Sequence, residues 1–272
     1  VKVLTWNIAE ISKSASAPES CSLEDKWAAV QQEIVVRWRP DIVALQECVS
    51  DAALDALLGV YDFVGSEGIE DAQRSCGYIH VYVRKGMGAT RLAAPSGVPT
   101  LLARVRVGKE DLEVAAVHLS PGVGGRSRRL AQVKTIAKSL KSKAQLVLGD
   151  FNVRPDEVED MLQAGSLREA AYEGRSFYPG QRRYELCKLA ETGPGVGFAF
   201  DRVMHSSRSN AEVFLVGKPR VLCEGMKFTL SDHYGVLGFV DVHASHADGP
   251  ASVRRDRQTR GISCSSRRMQ FA

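Results

Sequence analysis

Gln145-Leu146-Val147-Leu148-Gly149-Asp150-Phe151-Asn152 is the stretch whose reading decides the fold. Its aliphatic run is too short for an ordinary helix and ends in turn-forming Gly-Asp-x-Asn, so it reads as an inner strand that delivers a carboxylate at its end. Just upstream, Leu130, Val133, Ala137 and Leu140 recur at helical spacing and mark one face of a helix over Ser127–Leu140. The other positions of that helix carry Arg128, Arg129, Lys134 and Lys138, a basic stripe that continues into Lys141 and Lys143 with no acid after Arg126. Such a stripe is usually a solvated face. Further upstream, Leu112–His118 reads as another strand, followed by a polar loop with Pro121, Gly122, Gly124 and Gly125.

The same grammar repeats toward both ends. Val1–Ile8 is a buried strand closing on Thr5-Trp6-Asn7, and a Ser/Ala-rich loop spans Ile11–Ser22. Ser22 with Asp25 resembles a capping box, Trp27, Val30, Ile34 and Trp38 follow at helical spacing, and Pro40 stops that helix. Asp41–Glu47 is a short apolar strand ending in a carboxylate; Ser50 begins a second short helix with Leu54, Leu57 and Leu58. Ile79–Arg84, Leu101–Val107, Phe198–Met204 and Tyr234–Val242 complete the strands. Some strands are joined by helices and others by turns, which implies a mixed two-layered sheet flanked by helices. Residues 244–272 lose periodicity and become rich in Ser, Arg, Gly and Ala, so a folded domain over 1–243 and a basic, disordered tail over 244–272 are expected.

Composition narrows the class. With 44% hydrophobic and 25% charged residues among 272, the chain is neither collagen-like, coiled-coil nor wholly disordered. No apolar run approaches the roughly 18 residues of a membrane helix. Six cysteines, at 21, 48, 76, 187, 223 and 264, form no CxxC pair, which argues against a zinc site or disulfide framework and for reduced thiols in an intracellular protein. The chain opens at Val1 inside a strand-like run, as expected of an excised domain or processed product. The net charge is +4, and all of that excess falls in residues 244–272. A polyanion would therefore be held by local groups rather than by a global field.

Asn7, Glu47, His118, Asp150, Asn152, Asp201, Asp232 and His233 share one context: each lies at or beside a strand terminus. Taken singly, each has a bland reading: a turn, a solvated edge, or a satisfied histidine. As a set, carboxylates and carboxamides without cysteine suit a hard, oxygen-preferring cation, Mg²⁺ or Mn²⁺. Two histidines beside such a cation suit contact with phosphoryl oxygens, and together these groups describe metal-assisted phosphodiester hydrolysis.

The ordered series Thr5-Trp6-Asn7, Leu45-Gln46-Glu47, His118-Leu119, Gly149-Asp150-Phe151-Asn152, Phe200-Asp201-Arg202 and Ser231-Asp232-His233 resembles the endonuclease/exonuclease/phosphatase superfamily over Val1–Val242. The resemblance implies an α/β fold of the DNase I-like type, a four-layered sandwich of two packed mixed β-sheets flanked by helices. It implies Glu47 as direct metal ligand, with Asn7 and Asp232 beside it. It also implies Asp150 as the group that activates water, Asn152 as the group that orients phosphate or water, His233 on the scissile phosphate aligned by Asp201, and His118 donating to a non-bridging oxygen.

His118-Leu119-Ser120 with its Gly/Arg-rich loop, Asn152-Val153-Arg154, Phe200-Asp201-Arg202-Val203 and Ser231 to Leu237 are similar to one branch, the 5′-tyrosyl-DNA phosphodiesterases. That likeness implies a monomeric, Mg²⁺-dependent, nuclear DNA-repair hydrolase acting on a DNA 5′ end, single strands included, that carries a topoisomerase-derived tyrosine. Arg154, Ser120 and Arg126 would contact the substrate, with no membrane involved. An apurinic or other endo- or exonuclease, an RNA-directed hydrolase and, behind them, a sphingomyelinase are the alternatives. An inactive adaptor is disfavoured because all eight polar positions are filled.

Overall fold

A computed structural model describes residues 1–8, 23–71, 74–170, 172, 174–177, 198–206, 210–217, 220–223, 226–228 and 230–242. The Ile11–Ser22 loop, the Ser22 cap and the tail after His243 lie outside these residues. The strands are β1 (Lys2–Asn7), β2 (Ile42–Cys48), β3 (Tyr61–Asp71), β4 (Arg74–Arg84), β5 (Ala89–Leu92), β6 (Thr100–Val107), β7 (Glu110–His118), β8 (Ala144–Asp150), β9 (Arg168–Glu169), β10 (Asp201–His205), β11 (Asn210–Val216), β12 (Arg220–Cys223), β13 (Met226–Phe228) and β14 (Gly235–Asp241). The helices are α1 (Leu23–Gln31), α2 (Asp55–Leu58), α3 (Arg126–Ser139) and α4 (Val158–Gly165).

Two six-stranded mixed sheets result, in the orders β11-β14-β1-β2-β4-β3 and β5-β6-β7-β8-β10-β9; β12 and β13 form a separate hairpin. Each six-stranded sheet is built around one parallel pair, β1 with β2 and β7 with β8, and its other pairs are antiparallel. Parallel neighbours require a crossover, which α1 supplies in the first sheet and α3 in the second.

Alternation along the strands builds three cores in four layers. Val3, Ile42, Ala44 and Val81 of one sheet meet Leu101, Val114, Leu146 and Leu148 of the other. Leu4, Trp6, Val43 and Leu45 point away from that seam, toward Val30 and Ile34 of the α1 region. Ala115, Val117 and Val147 likewise pack on Val133 and Ile136 of α3 and on Met161 of α4. Inner strands buried on both faces must read as continuous apolar runs, which is why these were legible in the sequence.

Four local expectations are corrected. The helix that follows α1 widens over Gln32–Trp38 and ends at Arg39 in a left-handed conformation (φ 47°), one residue before Pro40. The second helix starts at Asp55, not Ser50, because the intervening backbone is held elsewhere: the Tyr82 hydroxyl accepts the Leu54 amide at 2.9 Å, and His80 Nε2 lies 2.7 Å from the Ser50 carbonyl. The Phe198–Met204 strand becomes regular only at Asp201, and Phe198 makes an isolated bridge to Phe177. Arg129, expected on the solvated face of α3, is fully buried, whereas Arg128, Lys134 and Lys138 are exposed.

Cys48 at the end of β2 is fully buried, and that burial, followed by the neighbouring Glu47 charge, pushes its thiol far above the ordinary range. Only thiolates alkylate readily. Peptide mapping after brief iodoacetamide treatment at pH 8 should find Cys48 unmodified in the native protein and modified in urea; native labelling would contradict this packing.

Candidate active site

Strand direction alone gathers the site. Parallel strands end on the same side, so Asn7 and Glu47 close β1 and β2 at one rim, and His118 and Asp150 face each other at the ends of β7 and β8. Antiparallel strands start where their neighbours end, so Asp201 opens β10 directly opposite Asp150, and Asp232 and His233 precede β14 beside the end of β1. The rims of the two sheets then meet: Asn7 Nδ2 donates to Glu47 Oε1 at 2.9 Å and to Asp150 Oδ2 at 3.0 Å, tying one carboxylate from each sheet.

Asp150 Oδ2 is the common point. His118 Nε2 lies 3.7 Å from it and His233 Nε2 3.9 Å, and His118 Nε2 is also 3.9 Å from Glu47 Oε1. These separations exceed hydrogen-bond length, so the two ring nitrogens face the carboxylate without donating to it. The other oxygen, Oδ1, accepts the Asn152 amide at 2.8 Å. Asn152 adopts a left-handed backbone (φ 49°), and its Nδ2 donates to the Leu119 carbonyl at 3.0 Å.

His233 Nδ1 is 2.7 Å from Asp201 Oδ2, and both side chains are buried. Burial pushes the imidazole pKa down, but the charge and hydrogen bond of Asp201, then the charges of Asp150 and Asp232, overcome it and raise the value to about 10. His233 is therefore an imidazolium at neutral pH. Asp150, Asp201 and His233 also bring ligand-type atoms within 4.8 Å of one another, a group that could hold a cation. The ring of His233 is tied on its Nδ1 side to Asp201.

Another oxygen-rich group, Glu47 with Asn7, adjoins Asp150. Glu47, Asp150, Asp201 and Asp232 bring four carboxylates against one imidazolium, a local negative excess, and the Glu47 side chain is 28% exposed and so reachable. The carboxylate of Glu47, which accepts from Asn7, is the kind of oxygen donor that a hard divalent ion takes. Glu47 is aimed by its backbone: the register of β2 against β4 slips between Leu45 and Cys48, and Glu47 has φ 58°. Such a bulge turns a side chain out of the sheet. Gly77 permits this by close approach, since a Cβ there would lie 2.5 Å from the Cys48 carbonyl oxygen.

The substrate-contact candidates fare differently. Arg154 is half-buried, its guanidinium carbon stands 5.2 Å from the centroid of Phe198, and its Nε has no hydrogen-bond partner among the described residues. Ser120 has its amide bonded to Gln132 Oε1 at 3.2 Å and its carbonyl to Arg129 Nη1 at 2.8 Å. Arg126 is exposed and lies 2.5 Å from Asp160 and 3.5 Å from Asp156, so acids of the next loop and α4 already neutralise part of its charge. The Arg126–Arg129 cluster is therefore not a set of free cations.

Sequence reasoning missed an aromatic column beside His233. Phe198 and Phe200 stack at 4.9 Å, Phe200 and Phe177 at 5.1 Å, and Phe177 lies 4.7 Å from the His233 ring. It also missed Ser176, whose hydroxyl accepts the Asp201 amide at 2.9 Å. Phe177 and Ser176 lie outside the strands read from periodicity, so no local pattern marked them.

A two-sheet sandwich with this rim chemistry defines a class, and residues 4–233 match the Endonuclease/Exonuclease/phosphatase family, to which the chain belongs. Among solved structures it is similar to zebrafish (D. rerio) TDP2 complexed with single strand DNA product, at 18% identity and TM-score 0.63 over 89% of this chain and 98% of that one. Truncated Caenorhabditis elegans TDP2 matches at 21% identity and TM-score 0.60, covering 88% and 96%. Beta toxin from Staphylococcus aureus matches at 16% and 0.61, covering 88% and 99%. No curated protein matches the sequence.

Proposed function

We propose that the protein is a divalent-metal-dependent phosphodiesterase that hydrolyses a 5′-phosphotyrosyl bond on DNA, leaving a 5′-phosphate. The observation that carries the reaction type is the convergence of Asn7, His118 and His233, from both sheets, around the single oxygen Asp150 Oδ2. The substrate assignment is supported by the tyrosyl-DNA-phosphodiesterase-like motifs, by TDP2 among the similar structures, and by Arg154 beside the Phe198 stack.

Glu47 and Asn7 and, by the family resemblance, Asp232 would hold Mg²⁺ or Mn²⁺, which when bound would offset the negative charge that builds on the phosphoryl oxygens. Asp150, fixed by the Asn7 and Asn152 donors, takes the proton of the attacking water. His233, held charged by Asp201, and His118 are placed to donate to a phosphoryl oxygen that enters beside Asp150. Asn152 aligns the phosphate, and Arg154, half-buried beside the Phe198 ring, contacts the DNA 5′ end. A tyrosyl leaving group, with a pKa of roughly 10, departs without a strong general acid. Ser120 and Arg126 would contribute at most outer contacts to the nucleotide. The assignment carries with it a monomeric enzyme working on DNA in the nucleus.

With Mg²⁺, a panel of 5′-tyrosyl DNA, abasic duplex, poly(A) and sphingomyelin should show rapid release of tyrosine and slow or absent turnover of the others, all abolished by EDTA. Faster cleavage of any other member would replace the substrate assignment, and full activity in EDTA would refute the mechanism.

A further inference from the structure

Arg129 is the exception on α3. It is fully buried and all three of its guanidinium nitrogens are engaged: Nε and Nη2 with the two oxygens of Glu157 at 2.7 to 3.0 Å, and Nη1 with the carbonyls of Ser120 and Gly122, both at 2.8 Å. It is spent on protein groups rather than presented to a phosphate. Gln132, one turn along the same face, accepts the Ser120 amide at 3.2 Å. Glu157 is itself buried, and its Oε2 lies 3.5 Å from the Arg154 amide.

Two rim loops meet at this ion pair. Ser120 is two residues past His118, and Arg154 is two residues past Asn152. Asn152 Nδ2 reaches across to the Leu119 carbonyl, so the loops also touch directly. A buried ion pair is poor value as a stabiliser, since an apolar pair of similar volume often does as well. Its directional bonds are what an apolar pair could not reproduce.

We infer that Arg129 and Glu157 are positioning residues that set the loop carrying His118 against the loop carrying Asn152. This rests on the reading of those two side chains as phosphate-contacting groups. The pair acts through the Ser120 and Gly122 carbonyls and the Arg154 amide, never on the substrate itself.

Because Arg129→Ala alone strands a buried carboxylate and invites unfolding, the decisive variant replaces both partners, Arg129→Met with Glu157→Leu. It is expected to melt cooperatively well above the assay temperature and to lose about 100-fold in kcat on 5′-tyrosyl DNA, the scale of a misplacement near 1 Å. His118→Ala should then cost far less in this background than in the parent, because His118 is already misplaced. In the substrate-free protein, the His118 ring resonances should shift on Glu157→Gln. A folded double variant with parental kcat, or a His118→Ala penalty equal in both backgrounds, overturns the inference. If the parent hydrolyses no member of the panel, the functional reading fails separately. The His118 resonances then decide the tie alone, and an unshifted ring overturns it.

Discussion

Asp150→Asn is expected to lower diester hydrolysis by roughly 10²- to 10⁴-fold, the range for removing a positioned general base. Asp150 Oδ2 is the point that Asn7, His118 and His233 all address, whereas Asp201 is committed to His233 and, in the proposed scheme, Glu47 and Asp232 serve the cation. The fold should survive. The amide oxygen can still accept the Asn152 backbone N–H, and loss of one negative charge beside Glu47 relieves repulsion that offsets the poorer fit of the new amide against Asn7. Single-turnover kinetics beside a thermal melt would check both halves. A folded variant keeping more than a tenth of the parental rate would remove Asp150 from the role of base.

Gly149→Ala should produce the largest loss of stability of any methyl addition at this rim. Gly149 has φ 149°, and a Cβ there would lie 2.0 Å from the Val117 carbonyl oxygen, a backbone atom that cannot step aside. Strained backbone costs roughly 1–3 kcal/mol and overpacking roughly 1–3 kcal/mol more. The strands forced apart are β7 and β8, between His118 and Asp150, so activity should fall even in the folded fraction. Gly124→Ala is the control, since its Cβ meets nothing within 4 Å. Urea unfolding of the two variants should differ widely in midpoint; similar midpoints would mean that the strands tolerate the methyl group.

Much of the fold was readable because the inner strands are apolar on both faces and end in polar residues whose strand direction then gathers them. Asn7, Glu47, His118, Asp150, Asp201 and His233 were all found by that rule. What escaped lies where another element decides. β3 is a sheet edge paired on one side with β4, so Gly65, Glu67 and Gly68 are tolerated there and the stretch does not read as a strand. The basic stripe of α3 does not reveal that Arg129 faces Glu157, because Glu157 lies in the turn leading into α4, a helix of eight residues too short to declare its period. Asp160, the partner of Arg126, is hidden in the same short helix. The aromatic column depends on the bridge between Phe177 and Phe198, residues brought together only by tertiary structure.

The Asn7 bridge makes the candidate site a vernier between two sheets. Asn7, Glu47 and His233 ride on one sheet and His118, Asp150 and Asp201 on the other, so none of them can be displaced alone when the sheets slide. A tightly interdigitated core of Val3, Ala44, Leu101, Ala116 and Leu148 sets their zero. A distant trimming of that core would therefore be felt first as lost chemistry and only later as unfolding.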